Sequence, residues 1–181
     1  MNRKKKALPL RYYGAQLILK MSEKNGFALV AEVQQELSHH PRYKGRKHED
    51  VLKSIDNLLH GGPAISPVKK VLFRQGMIVA PIFEFNNRNK HKAFKVLDPD
   101  SKQDKVLFIE NVLRPSLYRI ISGTKNHNLL LTTAIETNLL PGVSSVMALP
   151  TRTLSNKMYL LQQGLEELAK MVMERKTLDE Q

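Results

Sequence analysis

The sequence predicts a mainly α-helical chain carrying one small β-hairpin, an α+β arrangement in two parts. Three observations predict it. Apolar residues recur at helical spacing through residues 12–60. The pattern then changes to runs rich in Val, Ile and Phe between residues 68 and 97. A heptad-like seam begins at Leu154. A length of 181 residues suits one domain with an extension, or two small lobes.

Residues 1–8 read as a basic arm, with Arg3, Lys4, Lys5 and Lys6 in succession. A first helix follows Pro9, with Tyr13, Leu17, Ile18 and Met21 on one face, and stops at Asn25-Gly26 in the manner of a C-cap. A second is expected from about Leu29 to Ser38, on Val30, Val33 and Leu37. Pro41 and Gly45 then bound a basic loop, His39 to Lys47. The third helix runs from about His48 to His60 on a stripe of Val51, Leu52, Ile55, Leu58 and Leu59, and Gly61-Gly62-Pro63 ends it. Val68 to Phe85, punctuated by Gly76 and Pro81, reads as two strands. Asn86 to Lys92 reads as a polar turn, and Ala93 to Leu97 as a returning strand. Three helices followed by a hairpin is the order of a winged-helix domain, here over residues 9–97, with Asn87 to Lys90 as the wing.

Residues 98–104 (Asp-Pro-Asp-Ser-Lys-Gln-Asp) have the composition of a linker. A helical region is expected over residues 105–181. It holds an apolar run from Val106 to Val112, helices over Leu117–Ile121 and Leu129–Leu140, and a connection from Pro141 to Pro150. In the last segment Leu154, Met158, Leu161, Leu165, Leu168 and Val172 fall on alternating steps of four and three. Such a seam predicts a dimerisation helix, or failing that a terminal helix packed on its own domain.

The formal net charge is +12, and it is segregated. Residues 1–95 hold 19 Lys/Arg against 7 Asp/Glu, whereas residues 96–181 hold ten of each. Concentrated cations are what a surface requires to displace counterions from a polyphosphate, so nucleic acid is the expected partner. No basic amphipathic helix accompanies the charge, which argues against a membrane surface. Neither a signal peptide nor an apolar run of membrane-spanning length is present, so a cytoplasmic location is expected.

Little in the sequence points to catalysis. With no cysteine there is no disulfide framework, thiolate zinc site or cysteine nucleophile. Neither the phosphate-binding glycine motifs nor a Gly-x-Ser-x-Gly elbow occurs. His39, His40 and His48 do not follow a metal-site spacing, and Asp98 and Asp100 read as turn chemistry rather than a magnesium pair. The expectation is therefore a binding protein, not an enzyme, with no cofactor and no metal. Tyr43, between Arg42 and Lys44, is the best placed aromatic for stacking on unpaired bases, while Tyr12 and Tyr13 are expected in the core. A low aromatic content, 6%, favours duplex DNA over single strands.

The segment from Gly45 to Leu58 (Gly-Arg-Lys-His-Glu-Asp-Val-Leu-Lys-Ser-Ile-Asp-Asn-Leu) resembles the recognition portion of the Rha family of phage regulatory proteins. Val30-Ala31-Glu32-Val33 is similar to the first helix of that family's helix-turn-helix. The stretch from Phe83 to Leu97 resembles its following hairpin, so the likeness covers about residues 27–97. His39 to Lys44 departs from the pattern as an insertion between the two helices. The resemblance implies a DNA-binding regulator encoded by a phage or another mobile element.

On these grounds Arg46, Lys47, His48 and Lys53 are expected to meet DNA through the third helix. Arg42 and Lys44 would reach phosphate from the loop, Arg88, Lys90 and Lys92 from the wing, and Arg3 to Lys6 from the arm. The expected function is sequence-specific DNA binding in transcription regulation, by a homodimer. An RNA-binding or ribonucleoprotein-assembly protein, a metal-dependent nuclease and an adaptor for an acidic protein are the alternatives.

Overall fold

The computed structural model describes residues 7–84 and 87–140, with Tyr159, Gln162, Gln163, Glu166 and Lys170 beyond them. Within these residues the protein is mostly helical with a small antiparallel sheet, and the chain divides into two units between Val96 and Leu97. Arg3, Lys4, Lys5 and Lys6 lie outside the described residues. So do Leu154, Met158, Leu161, Leu165, Leu168 and Val172 of the heptad seam, and the connection expected over residues 141–150.

In the first unit, α1 (Leu10–Asn25) starts directly after Pro9 and ends where Gly26, at φ 81°, returns its N–H to the Ser22 carbonyl over 2.8 Å. Strand β1 (Ala28–Leu29) leads into α2 (Val30–Ser38), and a 3₁₀ turn (Pro41–Tyr43) into α3 (His48–Leu59). Of the predicted stripe, Val51, Ile55 and Leu59 are buried one turn apart and Leu58 is half-buried. Leu52, in contrast, is 41% exposed, because it lies about 100° round the helix from Val51 and off the face that meets the core. The three buried residues meet Ile18 of α1 and Leu37 of α2 in one apolar cluster. Strands β2 (Val79–Glu84) and β3 (Asn87–Val96) complete a sheet of order β1-β3-β2. Phe94 of central β3 faces Ala28 on one side and Pro81 on the other. Pro81 is tolerated because β2 is an edge strand.

Two expectations change here. The first of the two strands read between Val68 and Phe85 is a helix, α4 (Lys69–Phe73). The Ser66 hydroxyl donates to the Leu58 carbonyl at 2.8 Å and accepts from the Lys69 N–H at 3.2 Å, starting a turn where the β-branched residues suggested extension. The turn buries Lys69, Leu72 and Phe73 together, and burying one large apolar side chain (about 1.5–3 kcal/mol) outweighs a strand preference of about 1 kcal/mol. Secondly, Asn87 to Lys90 are not the hairpin turn but part of β3. Glu84 pairs with Asn87, and the register is irregular about Phe83, so extra β3 residues are absorbed along the strand. The polar run gave a turn signal, yet main-chain strand pairing requires no apolar side chain.

In the second unit, Asp98 Oδ1 accepts from the Asp100 N–H (2.9 Å), which is turn chemistry. Residues 102–104, expected in the linker, open α5 (Lys102–Phe108) instead, because the Ser101 hydroxyl accepts from the Asp104 N–H as an N-cap. A π-helical turn (Ile109–Leu113) joins α5 to α6 (Arg114–Ile121). Pro115 explains it, since proline supplies no N–H and its ring crowds the preceding turn, which widens. Helix α7 (Lys125–Glu136) follows, and Phe108, Leu113, Ile120, Leu130 and Leu131 are buried in this unit.

Candidate nucleic-acid interface

The basic loop is held by the one histidine in it that is buried. His40 Nε2 lies 2.9 Å from the Leu8 carbonyl oxygen, and its Nδ1 accepts the Arg42 N–H at 3.2 Å. Those two bonds require the proton on Nε2. His40 therefore fastens the end of the basic arm to the loop, and its ring also packs on Tyr13, centroids 5.4 Å apart. Both ring nitrogens are thus engaged within the protein. Among the described residues no group of three or more His, Asp or Glu side chains could hold a metal ion.

Around this anchor Arg42, Lys44, Arg46 and Lys47 are all exposed. Tyr43 is not. It is 4% exposed, its hydroxyl meets the Ser54 hydroxyl at 2.9 Å, and it belongs to the core cluster. The expectation of Tyr43 as a stacking platform is thereby overturned, and Tyr12, expected in the core, is the exposed tyrosine of α1. A side chain placed among cations in the sequence reads as surface, but the 3₁₀ turn aims this one inward.

Helix α3 stands as a ridge between two grooves. Its exposed residues are His48, Glu49, Asp50, Leu52, Lys53, Asp56 and Asn57. Three carboxylates and an apolar side chain therefore share the free face with one lysine, which is more acidic than the sequence expectation for a DNA-contacting helix. Glu49 and Asp50 occupy the first turn and offset the positive end of the helix dipole. His48 and Lys53 are exposed. Cations sit on the flanks instead. On one flank a groove of about 480 Å³ runs between Pro9, Arg11, Arg42, Asn57, Leu58 and Pro67. On the other, a groove of about 510 Å³ is lined by Gln34, Asp56, His60, Glu84, Lys90, His91 and Lys92, among others.

Among the described residues none of Arg11, Arg42, Lys44, Arg46, Lys47, Lys53 and Lys92 is ion-paired with a carboxylate. Lys90 differs: its Nζ lies 2.9 Å from Glu84 Oε1 across the hairpin. The Arg88 side chain lies outside what is described. His91 sits edge-on to Phe83 and Phe94. Burial, reinforced by the charges of Lys69 and His60 and opposed by Asp56, pushes His91 down to about 4. Lys69 itself is fully buried, with Nζ 2.6 Å from the Gly61 carbonyl oxygen and 4.3 Å from the Phe94 ring centre, and burial pushes it down to about 7.

Arg11, Asn57 and Lys69 escaped the sequence reading, and His40 entered it only as a candidate metal ligand, not as an anchor. Arg11 and Asn57 carry no local signal, since each is one polar residue on an amphipathic helix. Comparison with protein-family models, curated proteins and solved structures finds no match to this chain.

Proposed function

We propose that the first unit binds duplex DNA as a winged-helix-like module, in the service of transcription regulation by a phage or other mobile element. The observation that carries this reading is the α3 ridge with cations along both flanks. A recognition helix in a major groove about 12 Å wide has a phosphate backbone on each side. Arg11, Arg42, Lys44, Arg46 and Lys47 serve one strand, and Lys90 and Lys92 the other. Lys53 and Asn57 are left to meet base edges, where Glu49 and Asp50 disfavour phosphate and so restrict how the helix seats. Arg3 to Lys6 would add contacts to a minor groove or the adjacent backbone, and Leu8, which follows them, is fastened to the loop by His40. Two copies paired through Leu154, Met158, Leu161, Leu165, Leu168 and Val172 would read a two-fold symmetric site.

Burial of Tyr43 removes the base platform best placed for the RNA alternative, which would then need another such as the exposed Tyr12. Fluorescence-anisotropy titrations with duplex DNA, single-stranded DNA and single-stranded RNA across a range of salt test the proposal. The expected result is preference for duplex with a steep negative slope in log salt. Absence of binding to all of them at about 100 mM salt, where non-specific contacts still operate, would assign the segregated charge to a protein partner. Cleavage of plasmid DNA in the presence of Mg²⁺ or Mn²⁺ would replace the regulator with a nuclease.

A further inference from the structure

Of the two grooves beside α3, only one is free of carboxylates. Asp56 and Glu84 line the groove at the hairpin, whereas the groove between α1, the 3₁₀ turn and α3 carries Arg11 and Arg42 and no acid. Both guanidinium groups belong to exposed residues on different elements, brought to one groove by the fold. The Arg11 guanidinium carbon lies 5.0 Å from the Tyr12 ring centre, a face contact that makes no use of the guanidinium N–H groups as hydrogen-bond donors. The same groove is lined by the apolar Pro9, Leu10, Leu58 and Pro67 and by Asn57. The Ser54 hydroxyl, also in this groove, is already engaged by Tyr43.

We propose, resting on the DNA-binding reading above, that this groove seats a single sugar–phosphate unit of the bound duplex, with Arg11 and Arg42 converging on one phosphate. Planar guanidinium forks match phosphate oxygens bidentately, and two of them on one group fix its position rather than merely attract it. An apolar wall suits the C–H faces of a deoxyribose, which a purely charged patch would not accommodate. Asn57, one turn beyond Lys53 on the outward face of α3, presents an amide to the edge of the neighbouring base. The seat sets the register of α3 on the DNA, a role neither the arm nor the loop lysines fill by charge alone.

The test is a salt-dependent titration of the full chain against one duplex, with Arg11→Ala/Arg42→Ala, Arg11→Lys/Arg42→Lys and Asn57→Ala variants. Both arginines are exposed, so the variants are expected to fold, and circular dichroism checks it. Two cations on one phosphate predict that the double alanine variant lowers the log-salt slope by about 0.9, not by the about 1.8 of two separate phosphate contacts. The lysine pair should keep the slope and lose affinity several-fold, and Asn57→Ala should keep the slope and change base preference at one position. Scanning the duplex with single neutral methylphosphonate linkages should find one position whose loss matches the double alanine variant and has no further effect in it. If the wild type binds duplex steeply while the double alanine variant matches it, or the slope falls by about 1.8, the seat is wrong and the DNA-binding reading stands. A wild type that binds no duplex removes both.

Discussion

Lys69 reaches back eight residues and donates from Nζ to the Gly61 carbonyl at 2.6 Å, in a site where the side chain has no exposure to solvent. The glycine it grips ends the α3 segment with φ 84°, and the ammonium lies over Phe94 at the centre of the sheet. One buried cation thus joins the turn after α3, helix α4 and strand β3.

That burial has a pH signature. Lys69 holds its proton to about 7 in the folded protein, against 10.5 for a free lysine. Between those values the unfolded chain binds more protons, so stability contributed by this residue rises with pH through that window and is flat below it. The slope for one group is at most about 1.4 kcal/mol per pH unit. Urea unfolding of wild type and Lys69→Met at several pH values should give curves that diverge upward for the wild type from neutral to alkaline pH. Parallel curves would mean that the lysine reaches water.

The hairpin lysines should not be equivalent. Lys90 is paired with Glu84 between side chains 66% and 39% exposed, a surface pair worth about 0–1 kcal/mol. Lys92 is not ion-paired with any carboxylate among the described residues. Lys92→Ala is therefore expected to weaken DNA binding and flatten its salt slope more than Lys90→Ala, while Glu84→Gln releases Lys90 and raises affinity. Equal effects of the two lysine variants in anisotropy titrations would remove the ion pair from the account.

His40 should matter through position rather than charge. Replacing it with Ala leaves the Arg42 N–H without its partner and releases the Leu8 carbonyl. Since both belong to exposed residues that water can reach, the loss is about 0.5–1.5 kcal/mol per bond. The variant should show faster amide exchange at Arg42 and weaker DNA binding, with the protein otherwise folded. Unchanged exchange at Arg42 would contradict the anchoring role.

Gly14 lets α1 approach the chain leading into α4. A Cβ there would stand 2.9 Å from Val68 Cγ2 and 3.2 Å from Cγ1, and Val68 is fully buried. Gly14→Ala gains about 1 kcal/mol of helix propensity but overpacks the contact, at about 1–3 kcal/mol, so a net loss is expected. In a Val68→Ala background the same change should become neutral or stabilising. A double-mutant cycle on thermal or urea unfolding reads the coupling, and simple additivity would show that the contact is slack.

The sequence by itself determined what depends on near neighbours. The helical spacing of Val51, Ile55 and Leu59 marked α3, the Asn25-Gly26 pair ended α1, and the division of charge at the middle of the chain needed only counting. These are legible because a helix of 3.6 residues per turn writes its buried face into a short window. Only the tertiary structure decided that Val68 to Phe73 coil, that Tyr43 turns inward and that Lys69 is sealed. It also decided that Arg11 shares a groove with Arg42, across a link in which His40 and Leu8 stand 32 residues apart. Such outcomes depend on which faces meet. Burial against distant segments outweighs local preferences of about 1 kcal/mol or less, and no local window contains the partner.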